Sequence, residues 1–204
     1  VSAILPPAAQ RVHNARLSCF TVMPRPLPTR PLPDYIRKNL RLLSIGINPG
    51  RMSSELGFAF AHPRNRFWPA FNAAGLVPET LTPSVAAVER LFHHYGIGFT
   101  DVVSRPTPQA SDLTAADWRD GASKLRAKLE RYQPGIAWFH GRLALHNFLR
   151  YGGFAMKPEN WGLQSFRIGA TRVFLSPSPS PANAAVRLET LIDNYRALRD
   201  LLEP

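Results

Sequence analysis

One cysteine, Cys19, stands in a chain of 204 residues, which excludes an internal disulfide and a cysteine-built zinc cluster. Acid is scarce too: 14 Asp and Glu against 25 Lys and Arg leave a formal charge of +11 and a pI near 10.8. No apolar run approaches the ~20 residues that cross a bilayer, and the N-terminus lacks the charged-then-apolar order of a secretion signal. No internal repeat is visible, and no cluster of carboxylates is spaced to hold magnesium. These absences lead us to expect a soluble protein of a reducing compartment, cytoplasmic and, in a bacterium, associated with the nucleoid. The charge excess favours a polyanionic partner, because neutralised phosphates release counterions.

Proline is abundant at the start. Pro6, Pro7, Pro24, Pro26, Pro28, Pro31 and Pro33 break any periodicity, so residues 1–34 read as an extended, basic arm. Seven basic residues and one acid, Asp34, lie within residues 1–41, more than half of the excess charge. Residues 35–204 read as a single domain, large enough for a real core. There apolar runs alternate with helical patterns, the signature of a mainly parallel α/β sheet. Strands are expected at Leu42–Ile47, Ile97–Val103, Ile136–His140 and Arg172–Ser176, with Gln164–Ile168 as an edge or hairpin element. Helices are expected over Arg66–Ala74, Ser84–Tyr95, Thr114–Tyr132 and Arg142–Tyr151, and from about Ala184 onward. Trp68, Trp118 and Trp138 occupy periodic positions and read as core.

The most informative stretch is 46–68. It follows a strand, reads as a tight turn and a Gly- and Ser-bearing loop over 50–57, and carries an amide (Asn48), glycines (Gly50, Gly57), a ring (Phe60) and three arginines (Arg51, Arg64, Arg66). Ligands of open α/β sheets sit beyond the carboxyl ends of strands. Amide, ring and positive charge at such a rim suit a planar polar base on a phosphate chain.

The run Gly46-Ile47-Asn48-Pro49-Gly50, followed by Gly57-Phe58-Ala59-Phe60-Ala61-His62-Pro63 and Asn65-Arg66-Phe67-Trp68, resembles the first signature of the mismatch-specific uracil-DNA and thymine-DNA glycosylases. Gly98–Thr107 is similar to that family's second strand and exit loop, and Leu175–Ala184 to its DNA-inserting late loop. The likeness covers roughly residues 40–202. It implies a three-layer α/β/α sandwich with a central, mainly parallel four-stranded sheet. It implies, further, a monofunctional enzyme that flips uracil or a related pyrimidine, chiefly opposite guanine, out of duplex DNA and hydrolyses its N-glycosidic bond. No metal or organic cofactor is implied, the partner is double-stranded DNA bearing G·U or similar mismatches, and a monomer is expected. No lysine stands in the motifs, so Schiff-base strand nicking is not expected.

By the same resemblance Asn48 positions the attacking water, and Phe60 stacks on the extruded base. An amide orients water but cannot take its proton; by itself the Asn-Pro pair also reads as a turn. Backbone around Ile47 and Phe58, with Ser54 on the pocket wall, would read the base edge. The alternative for Phe60 is core packing on Phe67. Asp101 departs from the lysine or asparagine of relatives: it reads as a general base, as an electrostatic stabiliser of an oxocarbenium-like sugar, or as a structural partner of Arg105 or Lys124. Arg51, Arg64 and Arg66 are candidate phosphate contacts, with a tie into the sheet as the alternative for Arg66. Ser178, Ser180, Ala182, Asn183 and Ala184 form the expected DNA-entering loop, and Asn183 alternatively caps the last helix. His140 ends the third strand and is an outside candidate. Two rivals stand beside catalysis: a base-lesion sensor without activity, and a nucleotide hydrolase.

Overall fold

A computed structural model describes residues 30–202. Five strands form one sheet in the order β2-β1-β3-β5-β4: β1 Leu42–Gly46, β2 Ile97–Asp101, β3 Ile136–His140, β4 Gly162–Ile168 and β5 Thr171–Ser176. β1, β2, β3 and β5 are parallel, whereas β4 pairs antiparallel with β5. The sheet is therefore five-stranded rather than four-stranded. The extra member grows from the run anticipated as an edge: Gly169, with φ of 57°, permits the turn that folds β4 back on β5.

Strands buried on both faces read as continuous apolar runs, and every residue of β1 and β3 is buried. Leu42, Phe99, Trp138 and Phe174 face one layer, formed by α2 (Phe67–Ala74), α3 (Val85–His94) and α6 (Leu188–Asp200). Leu43, Ile45, Phe139 and Leu175 face the other, formed by α4 (Ala115–Tyr132) and α5 (Arg142–Tyr151). The result is the expected three-layer α/β/α sandwich. Trp68, Trp118 and Trp138 are all core.

Local signals set the helix ends. Thr114 accepts a hydrogen bond from the Asp117 amide while Asp117 accepts from that of Thr114, a reciprocal cap that starts α4. Within α4, Gly121 allows close approach to the sheet: a Cβ there would lie 2.3 Å from the Val102 carbonyl oxygen. Two local expectations change. Arg51–Leu56, read as loop, is a short helix, α1. The last helix starts at Leu188 with Arg187 as its cap, not near Ala184, so Asn183 does not cap it. Of the proline-rich arm, residues 1–29 lie outside the described residues. Residues 30–35 lie along the domain, with Tyr35 bridged to Phe99 on the free edge of β2.

Candidate active site

Because four strands run in one direction, their carboxyl ends bring three loops to one rim. The backbone beyond β1 stays bonded to that beyond β2: Val102 and Val103 donate to Gly46 and Ile47, and Thr107 donates to Pro49. Beyond β3, the Gly141 amide donates to Ser176 at the end of β5.

Asn48 is held from two sides. Its amide nitrogen donates to the Arg105 carbonyl at 3.0 Å and to Thr107 Oγ1 at 2.7 Å. A carbonyl can only accept, so it must face the amide's nitrogen, which fixes the orientation of the group. Both donors are spent, which leaves Oδ1 as the functional end. That oxygen can accept a proton of a water molecule and aim its lone pair, but it cannot remove a proton.

Asp101, at the end of the neighbouring strand β2, carries a carboxyl, a group that can accept a proton where an amide cannot. Its half-buried carboxyl packs against β1, opposite Gly46, where an added Cβ would stand 2.3 Å from Asp101 Oδ1. Burial raises its pKa from the ordinary 3.8 to about 7; repulsion from Asp34 adds to the rise and Lys128 opposes it. Neither structural partner foreseen for it is free. Arg105 is clamped bidentately by Asp117, at 2.8 and 2.7 Å, and Lys124 pairs with Asp120 at 2.7 Å. Lys128 is itself bound to Asp34 at 2.6 Å and donates to Thr100 Oγ1 at 3.3 Å.

Asp101 opens into a small cleft whose walls include Pro49, Phe58, Ala59, Asp34 and Tyr35. Phe60 and the late loop do not line it. The segment around Phe60 is a turn and not the extended strand that alternation of Phe58 and Phe60 would need. Gly57 has φ of 79° and Phe60 itself 59°, a left-handed conformation costly for a bulky residue. Phe60 stacks on Phe67 with centroids 4.1 Å apart and planes 12° apart, and meets the His140 ring edge-on at 4.9 Å. One face of the ring is thus spent on the core packing that sequence offered as an alternative. The side chain is nevertheless only half-buried.

Behind Phe60, His140 is buried, bonded through Nε2 to Ser44 Oγ at 2.9 Å. Burial lowers its pKa to about 3, so it is a neutral floor and not a proton donor near neutrality. Ile47 is half-buried at the β1 exit. Ser54 donates to the Arg30 carbonyl at 2.5 Å, so its hydroxyl is engaged by the incoming segment. Ser53, its neighbour on α1, is buried and accepts from the Ala61 amide at 3.2 Å.

The late loop is built by its own polar groups and by one arginine. Ser178 Oγ accepts from the Ser180 amide, Ser180 Oγ from the Ala182 amide, and Asn183 Nδ2 donates to the Ser178 carbonyl at 3.1 Å. Arg66, at the mouth of α2, donates to the carbonyls of Ser180 at 2.7 Å, Asn183 at 2.9 Å, Pro179 at 3.4 Å, and Val186. Two of these carbonyls also close backbone turns, Ser180 accepting from the Asn183 amide and Asn183 from the Val186 amide, so the guanidinium ties down a chain of tight turns ahead of α6. Sequence marked Arg66 as a cation of undecided use; it is the clamp that holds the late loop beside the first one. Ala182 and Ala184 stay exposed at the loop tip. Arg64 is exposed and forms no ion pair among the described residues, while Arg51 pairs with Glu55 at 3.1 Å.

Among the described residues, no group of three or more His, Cys, Asp or Glu is placed to hold a metal ion, and no helix is long and apolar enough to cross a membrane. Lys128 and Asp34 are cleft residues that sequence reasoning missed: their relation to Asp101 depends on α4 and the incoming segment crossing β2, and no local pattern announces it.

Comparison with solved structures finds the same fold in a Methanosarcina acetivorans protein provisionally described as a uracil DNA glycosylase. The solution NMR structure aligns with a TM-score of 0.58 at 21% identity, over 86% of this chain and 99% of that one. The family model described as "Uracil DNA glycosylase superfamily" matches residues 33–202, from the segment that crosses β2 to the end of α6. With the match running through both rim loops and every strand between them, the chain belongs to the uracil DNA glycosylase superfamily.

Proposed function

We propose that this DNA glycosylase excises uracil, chiefly opposite guanine, by monofunctional hydrolysis of the N-glycosidic bond in duplex DNA. The observation that carries the reading is the presence of a clamped amide, Asn48, and a half-buried carboxyl of raised pKa, Asp101, beyond adjacent strands. Asn48 Oδ1 orients the water by accepting one of its hydrogens. Asp101, ionised, takes a proton as the water oxygen bonds to the anomeric carbon. The bond from that carbon to the base nitrogen breaks, and the electron pair leaves with the base. Backbone groups of Ile47 and Phe58 hold the departing anion, Ser54 lies on the wall, and the unspent face of Phe60 receives the ring. Stacking of this kind is worth about 1–3 kcal/mol and is blind to base identity, so the base edge must be read by hydrogen bonds. Flipping costs a few kcal/mol, least at a mismatch. The Ser178–Ala184 loop, with Ser180, Ala182 and Asn183, fills the vacated stack, and Arg51 and Arg64 take phosphates. The enzyme acts as a monomer without metal or cofactor, in the cytoplasm or on the nucleoid.

The test is incubation of end-labelled duplexes carrying G·U, A·U or G·T, and of single strands, with EDTA present, followed by alkali. Alkali-dependent breakage of the G·U strand is expected; its complete absence would leave a lesion sensor, and turnover of free nucleotides in its place would leave a nucleotide hydrolase. In the same assay Asn48→Ala is expected to lower single-turnover excision at least about 100-fold, with duplex affinity nearly kept. Gly46→Ala is expected to slow excision by about 10- to 100-fold, because its methyl would displace the Asp101 carboxylate by about an ångström. An unaltered rate in a folded Gly46→Ala protein would detach Asp101 from the chemistry.

A further inference from the structure

Three of the four tryptophans are buried, but Trp161 is 47% exposed. It is not alone. Leu163 and Leu143 are 46% and 48% exposed, and the Arg142 guanidinium lies 5.1 Å from the indole centroid while donating to the Pro158 carbonyl at 3.1 Å. Large apolar side chains of this kind gathered with an arginine mark a contact surface more than a solvated one.

The position of the patch says which partner it meets. Gly162 pairs with Leu175, one residue short of the end of β5, so Trp161 stands at the carboxyl rim of the sheet, the rim of the late loop. Arg142 and Leu143 open α5 directly after Gly141, whose Cα faces Ser178 of that loop. From β1 to β4 is three strand steps, about 14 Å at ~4.8 Å each, or about four base pairs at ~3.4 Å per pair. The chain carries +11 overall, and Arg142 forms no ion pair among the described residues.

The geometry points to a second DNA contact: Trp161 and Arg142 form a plate that grips the duplex flank about four base pairs from the everted nucleotide, indole against deoxyribose and guanidinium on phosphate. This rests on the glycosylase reading for the position of the flipped base, but not for the fact of DNA binding. The plate gives the enzyme a one-sided footprint that the late loop alone would not produce.

Trp161 is the exposed fluorophore against three buried ones, so its emission reports the contact directly. Duplexes with 2′-fluorodeoxyuridine opposite guanine resist hydrolysis and allow equilibrium titration. They are prepared with ten base pairs on both sides, or with either side cut to two. The expected result is quenching by the long duplex, and a Kd about 5- to 20-fold weaker when one particular side is cut. Trp161→Ala should bind the long duplex as weakly as the parent binds that shortened one, with no further loss on shortening. Trp161→Phe should restore most of the affinity without the emission change, and Arg142→Ala should lower the salt dependence by about one phosphate. Equal loss from either side, or Trp161→Ala binding every duplex like the parent, overturns the inference. So does emission that shifts with protein concentration alone, which assigns the patch to a second copy. Quenching and one-sidedness on uracil-free duplex, together with no excision of G·U, would sink the enzymatic reading and leave this contact standing.

Discussion

Asp101→Asn is expected to cut single-turnover excision of uracil from a G·U duplex by about 100- to 10,000-fold, the usual worth of a positioned general base. The substitution keeps the size and most of the hydrogen-bonding capacity of the group and removes only its ability to accept a proton. Asp101 is suited to that task because burial, then Asp34, hold its pKa near 7, where a base is half available at neutrality and strong enough to matter. The parent rate should therefore rise with pH through about 7 and level off above it, whereas the variant should lose that rise. Asp34 and Lys128 are the charged groups that face Asp101, from the incoming segment and from α4, and they form an ion pair with each other.

A stability experiment on the same variant separates chemistry from folding. The folded-state pKa lies above the ordinary 3.8, so between those values the folded chain holds the proton that the unfolded chain has released. The stability this confers is complete below pH 4 and is lost as pH climbs through 7. Asp101→Asn should thus melt higher than the parent at pH 8 and close to it at pH 4. A variant that is more stable at pH 8 yet far slower shows a buried charge retained at a cost in stability for the sake of function. Parent-like excision with an unchanged pH profile would remove Asp101 from the mechanism.

Arg66→Ala should have the next largest effect, on both binding and folding. One guanidinium holds four carbonyls of the 179–186 segment, and the Arg66 amide adds a bond to Pro179 at 3.1 Å. Hydrogen bonds to charged groups are worth about 1.5–3 kcal/mol each before water replaces some of them. A net loss of about 3 kcal/mol is expected in denaturant melts, with excision from duplex falling about 100-fold or more as the late loop leaves its place. Arg66→Lys should recover little, because an ammonium is a point charge and cannot span four acceptors. Since a single-stranded base needs no filling of a vacated stack, any activity on single strands should fall less. Equal melting and equal duplex excision in Arg66→Ala would show that the loop holds itself.

Strands and most helices could be read in advance because burial on two faces writes apolar runs and helix starts write their caps. Leu42–Gly46, Ile136–His140 and the Thr114–Asp117 pair are examples. The misses have physical causes. Arg51–Leu56 is too short to show a period, so its serines and flanking glycines read as loop. The last helix starts at Leu188 and not near Ala184, because residues 180–186 fold into tight turns that Arg66, more than a hundred residues earlier, holds by their carbonyls. Phe60 was assigned to a pocket and its packing on Phe67 was offered as the alternative; the ring has two faces, and the fold gives one of them to Phe67.

By itself the sequence determined the layer order, the family signature and the residue types at the rim, since these follow from local periodicity and from a motif contiguous in the chain. It named Asn48 and Asp101. Only the tertiary structure decided that the Asn48 amide nitrogen is spent on Arg105 and Thr107, that Arg105 and Lys124 are spent on Asp117 and Asp120, and that Asp101 faces Asp34 and Lys128. Hydrogen-bond partners and desolvation are set by groups that meet across strands and helices far apart in the chain. A protonation state is a property of that meeting, and no neighbouring letters encode it.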